Sequence, residues 1–220
     1  MSSVVLETDR TILRPFEPAD ALAFGVPMRD SNITETTMFG APARTNEEGV
    51  EQAMERIIDF SKHWSRYGFG IFGAFDRWSG AMIGYCGLRH LDEFDGDIHI
   101  STMVDRPYWL AGFALEIFRR NLEYVFLERG FEAVHGTART YQMASVRLME
   151  RNGFIRQADR TLRDWPVFYY KCPREAFLAR HVVYLRECLA ELKPASPASP
   201  FINQPPVEEA AEAVEVSAGR

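Results

Sequence analysis

The sequence predicts an α/β (α+β) fold: a mixed, mostly antiparallel sheet flanked by helices. Three observations predict it. In the first half, the β-rich runs Phe69 to Phe75 and Ala81 to Arg89 flank DRWSG, a hairpin signature. In the middle, Asp97 to Ala138 reads as strand, glycine-containing turn, amphipathic helix and strand, an order that calls for a right-handed parallel crossover. At the end, Phe154 to Arg160 and Trp165 to Lys171 read as a closing antiparallel pair. With the opening strand and one that begins near Phe94, the sheet has about seven strands.

Thr8 to Phe16 alternates polar and apolar residues as a half-buried strand does, and Pro15 and Pro18 end it. Asp20 is placed to cap a short helix through Met28, against the weakening effect of Gly25 and Pro27. Ser31 to Arg44 has no clear period and carries Gly40 and Pro42, so it reads as loop. Thr45, three residues before Glu48, forms a capping box that opens a helix. Val50, Met54, Ile57, Ile58 and Ser61 share a face of that helix, and Gly68 stops it. Phe94 begins a strand after LDEFDG and completes a four-strand antiparallel meander. Ala111 to Arg129 is an amphipathic helix with Ala114, Ile117, Phe118, Leu122 and Val125 facing in. On its wet face Glu116 is placed to pair with Arg119 and Arg120.

Phe131 to Ala138 is the parallel strand, and Gly153 supplies the left-handed residue that ends the short helix after it. Arg174 to Leu192 is a last helix. Its apolar residues Leu178, Val182, Leu185, Leu189 and Leu192 form a narrow stripe that suits packing on its own sheet, on another helix or on the partner of a homodimer. From Lys193 the chain is rich in Pro, Ala and Glu and is expected to be disordered, so residues 1–192 form one domain and 193–220 a tail.

The net charge of −6 argues against non-specific nucleic-acid binding. No apolar run is long enough for a membrane span. The opening MSSVVLETDR has no basic-then-apolar pattern of a signal peptide, which points to the cytoplasm. The three cysteines, Cys86, Cys172 and Cys188, are far apart and form no CxxC pair, as idle thiols in a reducing compartment would be. No metal site is expected.

Two stretches carry a resemblance to a known family. The first is Trp109, Leu110, Ala111, Gly112, Phe113, Ala114, Leu115, Glu116. The second is Gln142, Met143, Ala144, Ser145, Val146, Arg147, Leu148, Met149, Glu150, Arg151, Asn152, Gly153, Phe154. Together they resemble the W-G-K-G-Y-A-T-E turn and the N-x-A-S-x-R-x-x-E-K-x-G-F helix of the GNAT acyltransferase superfamily, in its RimJ/RimL-like branch. The resemblance runs from about Leu6 to Lys171.

It implies an N-acyltransferase, most simply one that moves an acetyl group from acetyl-CoA, or another acyl group from its CoA thioester, to a primary amine by direct attack. The acceptor would be a protein N-terminus or a small molecule. Such a reaction needs the phosphates held, the thioester carbonyl polarised, the ammonium deprotonated and the thiolate protonated. By resemblance, the turn from Trp109 through Leu110, Ala111, Gly112 and Phe113 to Ala114 holds the phosphates on backbone N–H groups at a helix start. Met103, Val104 and Asp105, at the end of the preceding strand, lie along the cofactor arm, and a backbone N–H near Val104 and Asp105 polarises the carbonyl. Leu110 stands where the branch has glycine. Ala111 stands where it has a basic or amide residue, forgoing a charge-assisted hydrogen bond worth about 1.5–3 kcal/mol; Arg106 and Arg139 are candidates to supply that charge from elsewhere.

His99 aligns with the branch's glutamate and is the implied base, with Asp97 two residues before it on the same strand face to orient it. Ser145 is the implied acid toward the leaving thiolate, because Met149 stands where other branches have tyrosine. Gln142 replaces the asparagine that binds the cofactor arm. For His99, the alternative reading is a half-buried strand residue in a structural hydrogen bond; for Ser145, it is a serine bonded back to its own helix. The runner-up functions are a divergent protein of the same fold that uses another thioester or binds a ligand without turnover, and an interaction protein that uses the last helix.

Overall fold

The computed structural model describes residues 4–37 and 40–191. Nine strands form one sheet: β1 (Leu6–Glu7), β2 (Thr11–Pro15), β3 (Ile71–Asp76), β4 (Met82–Leu91), β5 (Asp97–Val104), β6 (Ala133–Arg139), β7 (Ile155–Arg156), β8 (Arg160–Leu162) and β9 (Trp165–Pro173). Their spatial order is β1-β2-β3-β4-β5-β6-β9-β7, with β8 paired to β9. The pairing is antiparallel throughout the described residues except between β5 and β6. The mixed sheet, the meander and the single parallel crossover are those the sequence predicts; the two-residue β1 and the three-residue β8 are added to the seven expected strands, and the expected Phe154 to Arg160 strand is only Ile155–Arg156 long.

The helices are α1 (Ala21–Phe24), α2 (Ser31–Thr37), α3 (Asn46–Tyr67), α4 (Phe113–Glu123), α5 (Met143–Arg151) and α6 (Arg174–Glu191). One face of the sheet packs on α4, α5 and the start of α6, burying Leu13, Phe72, Leu88, Ile100, Ile117, Phe118, Ala138, Val146 and Phe177. The other face carries α1 and α3 over Phe16, Ile71, Phe75, Tyr85 and Met103. A third, smaller cluster on that second face joins Leu91, Phe94, Leu162, Val167 and Tyr169. The chain divides into two compact units, Met1–Val183 and Tyr184–Arg220. The tail from Lys193 and the Leu189 and Leu192 side chains of the stripe lie outside the described residues.

Several local expectations are corrected. Ser31–Thr37 is helical, not loop. The Asp30 carboxylate accepts from the Asn32 N–H at 2.8 Å, and the Thr36 and Thr37 hydroxyls donate back to the carbonyls of Asn32 (2.7 Å) and Ile33 (2.6 Å). These side-chain bonds, with buried Ile33 and Thr34, hold a helix that threonine-rich propensity alone does not favour. Phe94 does not open a strand; it sits in a 3-10 turn and β5 starts at Asp97.

Thr45 caps α3 as expected, accepting from the Glu48 N–H at 3.1 Å, and Gly68 closes it with φ +70°. The buried face of α3, however, is Gly49, Ala53, Ile57 and Phe60, while Ile58 and Ser61 are exposed. The face turns because α1 crosses here at backbone contact: a Cβ on Gly49 would lie 2.6 Å from the Gly25 carbonyl oxygen. α4 runs on as a π-helical turn, Tyr124–Glu128. On α6, Phe177 stacks on Phe126 with ring centroids 5.0 Å apart, and Leu178 packs on the main core, whereas Val182 and Leu185 are 47% and 45% exposed.

Candidate active site

β5 and β6 set the geometry. Their parallel ladder has one bridge, His99 opposite His135. Both strands continue past it, to Val104 and Arg139, with no further pair, so they part toward their C-terminal ends. The register against β4 says which backbone groups face the gap. Val104 is opposite Gly84, and the Asp105 N–H donates to the Ile83 carbonyl at 2.7 Å. Val104 and Gly84 are therefore a non-hydrogen-bonded pair, and the Val104 N–H and carbonyl point away from β4, into the gap. The carbonyl accepts from the Trp109 indole Nε1 at 2.7 Å. The Val104 N–H is left as the donor directed into the gap. Of the two residues expected to polarise a carbonyl there, Asp105 is thus corrected, because its N–H is already bonded.

The turn that opens α4 lies beside this strand end, tied to it by Trp109. Leu110 has φ +62° and Gly112 has φ +85°. The left-handed position that the branch fills with glycine is thus left-handed here too, with leucine in it, its side chain fully exposed. The α4 ladder begins with the Glu116 N–H to the Gly112 carbonyl (3.2 Å), and no side chain caps the helix. The N–H groups of Phe113, Ala114 and Leu115 are therefore left without helical partners, the arrangement that suits an anion. Gly112 carries no side chain of its own, and the one nearest its Cβ position is the Arg10 cation, 3.4 Å away, so the backbone here fits a pyrophosphate.

Among the described residues the cation bonded to this turn is Arg10, its charge shared with Glu116, and not Arg106 or Arg139. Arg106 pairs with Asp30 at 3.7 Å, and Arg139 lies on the second sheet face over Trp165. Arg10, from the β1–β2 turn, fills the place: its Nη1 donates to the Ala111 carbonyl at 3.0 Å, and its guanidinium lies 4.2 Å over the Phe113 ring. Its Nε donates to Glu116 at 2.7 Å, which corrects the expected pairing of Glu116 with Arg119 and Arg120. Arg120 pairs instead with Glu123 and Glu128. No local signal in the sequence connects Arg10 with a turn 101 residues away.

On β5, Asp97, His99, Ser101 and Met103 share the second face. His99 is 2% exposed, stacked on Phe94 at 5.0 Å and 5.7 Å from the rings of His135 and Tyr169. Neither ring nitrogen has a hydrogen-bond partner among the described residues, so the half-buried, structurally bonded histidine is not what the strand holds. Burial, then the neighbouring His135, with Arg89 and Arg160 further off, outweighs Asp97 and lowers the His99 pKa to about 3. His135 is lowered too, chiefly by burial. Asp97 accepts from the Tyr169 hydroxyl and lies 3.8 Å from His135 Nδ1. Asp97, His99 and His135 can each offer one ligand atom, all within 4.8 Å of one another. The arginine charges that lower His99 also oppose a divalent cation there.

Ser145, in the first turn of α5, is half-buried, and no bond from its hydroxyl to its own helix is present among the described residues. Gln142 is engaged within the chain: its Oε1 accepts from the Arg139 N–H at 2.8 Å and its Nε2 donates to the Thr36 carbonyl at 3.4 Å. The longer side chain thus ties α5 to α2. Beside the end of β5, a cleft of about 510 Å³ opens between Val26, Asp30 and Asn32 on one side and Asp105, Arg106 and Pro107 on the other. Burial raises the Asp105 carboxyl above its usual range against the bonded Arg106 N–H, with Asp30 adding to the rise.

The comparisons with known proteins agree with this geometry. Residues 10–155, more than half of the 220-residue chain, match the family model for the acetyltransferase (GNAT) domain. The uncharacterized N-acetyltransferase YoaA of Bacillus subtilis is 28% identical over 161 residues, 73% of this chain and 87% of that protein. Among solved structures, an acetyltransferase (GNAT family) from Bacillus anthracis superposes with a TM-score of 0.63 at 19% identity, covering 78% of this chain and 99% of that one. A ribosomal-protein-S5-alanine acetyltransferase from Vibrio fischeri superposes equally well, TM-score 0.63, at 13% identity over 78% and 97% of the two chains. On the family match, with the turn, the gap and the parallel strands as its framework, the chain belongs to the GNAT acetyltransferase family and is an N-acetyltransferase.

Proposed function

We propose that the chain transfers an acetyl group from acetyl-CoA to a primary amine by direct attack, with no covalent enzyme intermediate. The observation that carries this reading is the parting of β5 and β6 with the Val104 N–H aimed into the gap. A thioester carbonyl laid there accepts that N–H, and the negative charge that grows on its oxygen strengthens the bond. The phosphates of the donor sit on the N–H groups after Gly112, with Arg10 as the nearby charge. Met103 and the turn from Trp109 to Ala114 line the arm's path, with Gln142 as a brace rather than a direct ligand.

The amine arrives as an ammonium and must lose a proton first. His99 is neutral near pH 7, so one of its two ring nitrogens is free to accept. Its low pKa makes it a weak base that holds the proton only transiently, and among the described residues no hydrogen bond joins it to Asp97 or His135. Ser145 donates to the leaving thiolate. Asp105 is a second candidate for the proton acceptor, favoured by its raised pKa and its place on the cleft.

The test is calorimetric titration of the full chain and its Gly112→Glu variant with acetyl-CoA. Micromolar binding in the parent, lost in the variant, is expected, because the glutamate brings bulk and negative charge to the phosphate site. No binding in the parent would sink the reading. Amine-dependent release of thiol from acetyl-CoA then separates the two bases. The essential one, changed to Gln for His99 or Asn for Asp105, lowers kcat by about 10²–10⁴.

A further inference from the structure

Arg139 is the only arginine that is fully buried among the described residues, at 5% exposure, and it has no carboxylate partner there. Its backbone is capped at both ends by Gln142: the Arg139 N–H donates to Oε1 at 2.8 Å and its carbonyl accepts from the Gln142 N–H at 2.9 Å. The guanidinium carbon lies over the Trp165 ring, 4.0 Å from its centroid, and Trp165 itself is half exposed. Stacking satisfies the plane of a guanidinium but not its edge, which carries five N–H donors. Among the described residues Nε and Nη1 have no hydrogen-bond partner. Arg14, Arg77 and Arg156, by contrast, each reach a carboxylate within 2.8 Å. A buried charge left without partners is strongly unfavourable. The position is pre-built for an acceptor that the protein does not provide.

We propose that Arg139 is the anchor for an oxyanion, carboxylate or phosphate, carried by the acceptor amine, so that the substrates are small amines with an acid group rather than simple amines or protein N-termini. This rests on the acetyl-transfer reading and deepens it. The side of the sheet decides between the two sources of oxyanion. Ala138 faces α4 and the main core, so Arg139, next along the strand, faces away from them, to the side of Asp97, His99 and His135. The donor's phosphates belong at the start of α4, where Arg10 already stands. An anion on Arg139 is therefore the acceptor's, and it fixes the acceptor at the C-terminal end of β6, next to the gap.

The experiment follows the Arg139 Nε–H resonance of the full chain by ¹H–¹⁵N NMR, assigned by its loss in Arg139→Lys. Sodium acetate and inorganic phosphate are the probes, with sodium chloride at matched ionic strength as the blank. A saturable shift of that resonance, retained when acetyl-CoA is bound, is expected. No shift, or one produced by acetyl-CoA alone that abolishes the response to the probes, overturns the proposal; the second result gives the anion to the donor. The Arg139→Met chain should keep or gain thermal stability without ligand, since it removes an uncompensated buried charge. A clear loss instead marks Arg139 as a structural partner of Trp165 and overturns it.

For substrate class, thiol release from acetyl-CoA is compared between free amino acids and their carboxamides. The acids should be at least ~10-fold better in kcat/KM, falling to parity in Arg139→Met. Equal rates in the parent, or no turnover with either set, overturn the assignment to a small acidic amine. Acetyl-CoA binding, followed at α4 resonances in the same samples, fails only if the acetyl-transfer reading fails.

Discussion

At the scale of single residues, the sequence shows which positions depart from the family pattern, and the structure shows what each departure costs. Leu110 keeps the left-handed backbone that glycine holds in the branch. A non-glycine side chain there is strained by about 1–2 kcal/mol, partly offset because leucine restricts the unfolded chain. Leu110→Gly should therefore raise unfolding stability by up to about 1 kcal/mol, read by urea denaturation, with acetyl-CoA affinity unchanged or better. A drop of similar size would mean that the exposed leucine makes a contact that matters. His99 was legible as the residue in the base's register, because strand alternation and the count back from Gly112 are local properties. Its burial and its unbonded nitrogens were not legible, because they depend on Phe94, from the 3-10 turn before β5, and Tyr169, from β9, which pack on it.

The sign of its pH effect follows from burial. A histidine whose folded pKa lies below its unfolded value leaves the unfolded chain with more protons between the two, so stability falls as pH drops from 6.5 toward about 3. His63 and His135 are lowered as well and add to the slope near its upper end. Stability should fall by up to about 1.4 kcal/mol per pH unit for each such group, and His99→Gln should flatten the curve below pH 6. An unchanged slope in that variant would place the titration elsewhere.

At the scale of elements, period and caps were legible and the orientation of faces was less so. The Thr45 cap and the Gly68 stop bracket α3 as the sequence has them, since both are short-range chemistry. The buried stripe is turned from the expected one, because a reading by large apolar residues discounts glycine and alanine. Gly49 and Ala53 are buried because α1 crosses at backbone distance, with Gly25 on the other side of the contact. This reverses an ordinary rule. Glycine to alanine inside a helix normally gains about 1 kcal/mol. Here the new Cβ would sit 2.6 Å from a backbone oxygen that cannot move without moving α1. Gly49→Ala should cost about 1–3 kcal/mol by thermal or urea unfolding. A neutral or stabilising result would mean that the two helices separate freely. α2 was missed for a related reason: Asp30 and the threonine hydroxyls that support it act through geometry that propensity does not record.

At the scale of the whole chain, the sheet order was legible because each connection is short or is a crossover of fixed hand. The long-range pairs around the candidate site were not, since Arg10 meets Glu116 and Arg139 meets Trp165 only after folding. The family match ends at residue 155, yet β9 lies between β6 and β7 in the sheet, and α6 begins where β9 ends. The first turn of α6 belongs to the core. Phe177 is buried against Phe126, and a Cβ on Gly153 would lie 2.8 Å from the Ala176 carbonyl oxygen. Val182 is exposed, and among the described residues every apolar residue of the three buried clusters lies before it. A chain ended after Val183 should therefore unfold within about 1 kcal/mol of the full chain and bind acetyl-CoA as the full chain does. Phe177→Ala should cost about 3–5 kcal/mol through the cavity it opens beside Phe126 of the π-helical turn. If the shortened chain loses as much as the Phe177 variant, the residues after Val183 are part of the fold's support. If neither loses, the core closes at β9, and α6 is free for a role of its own.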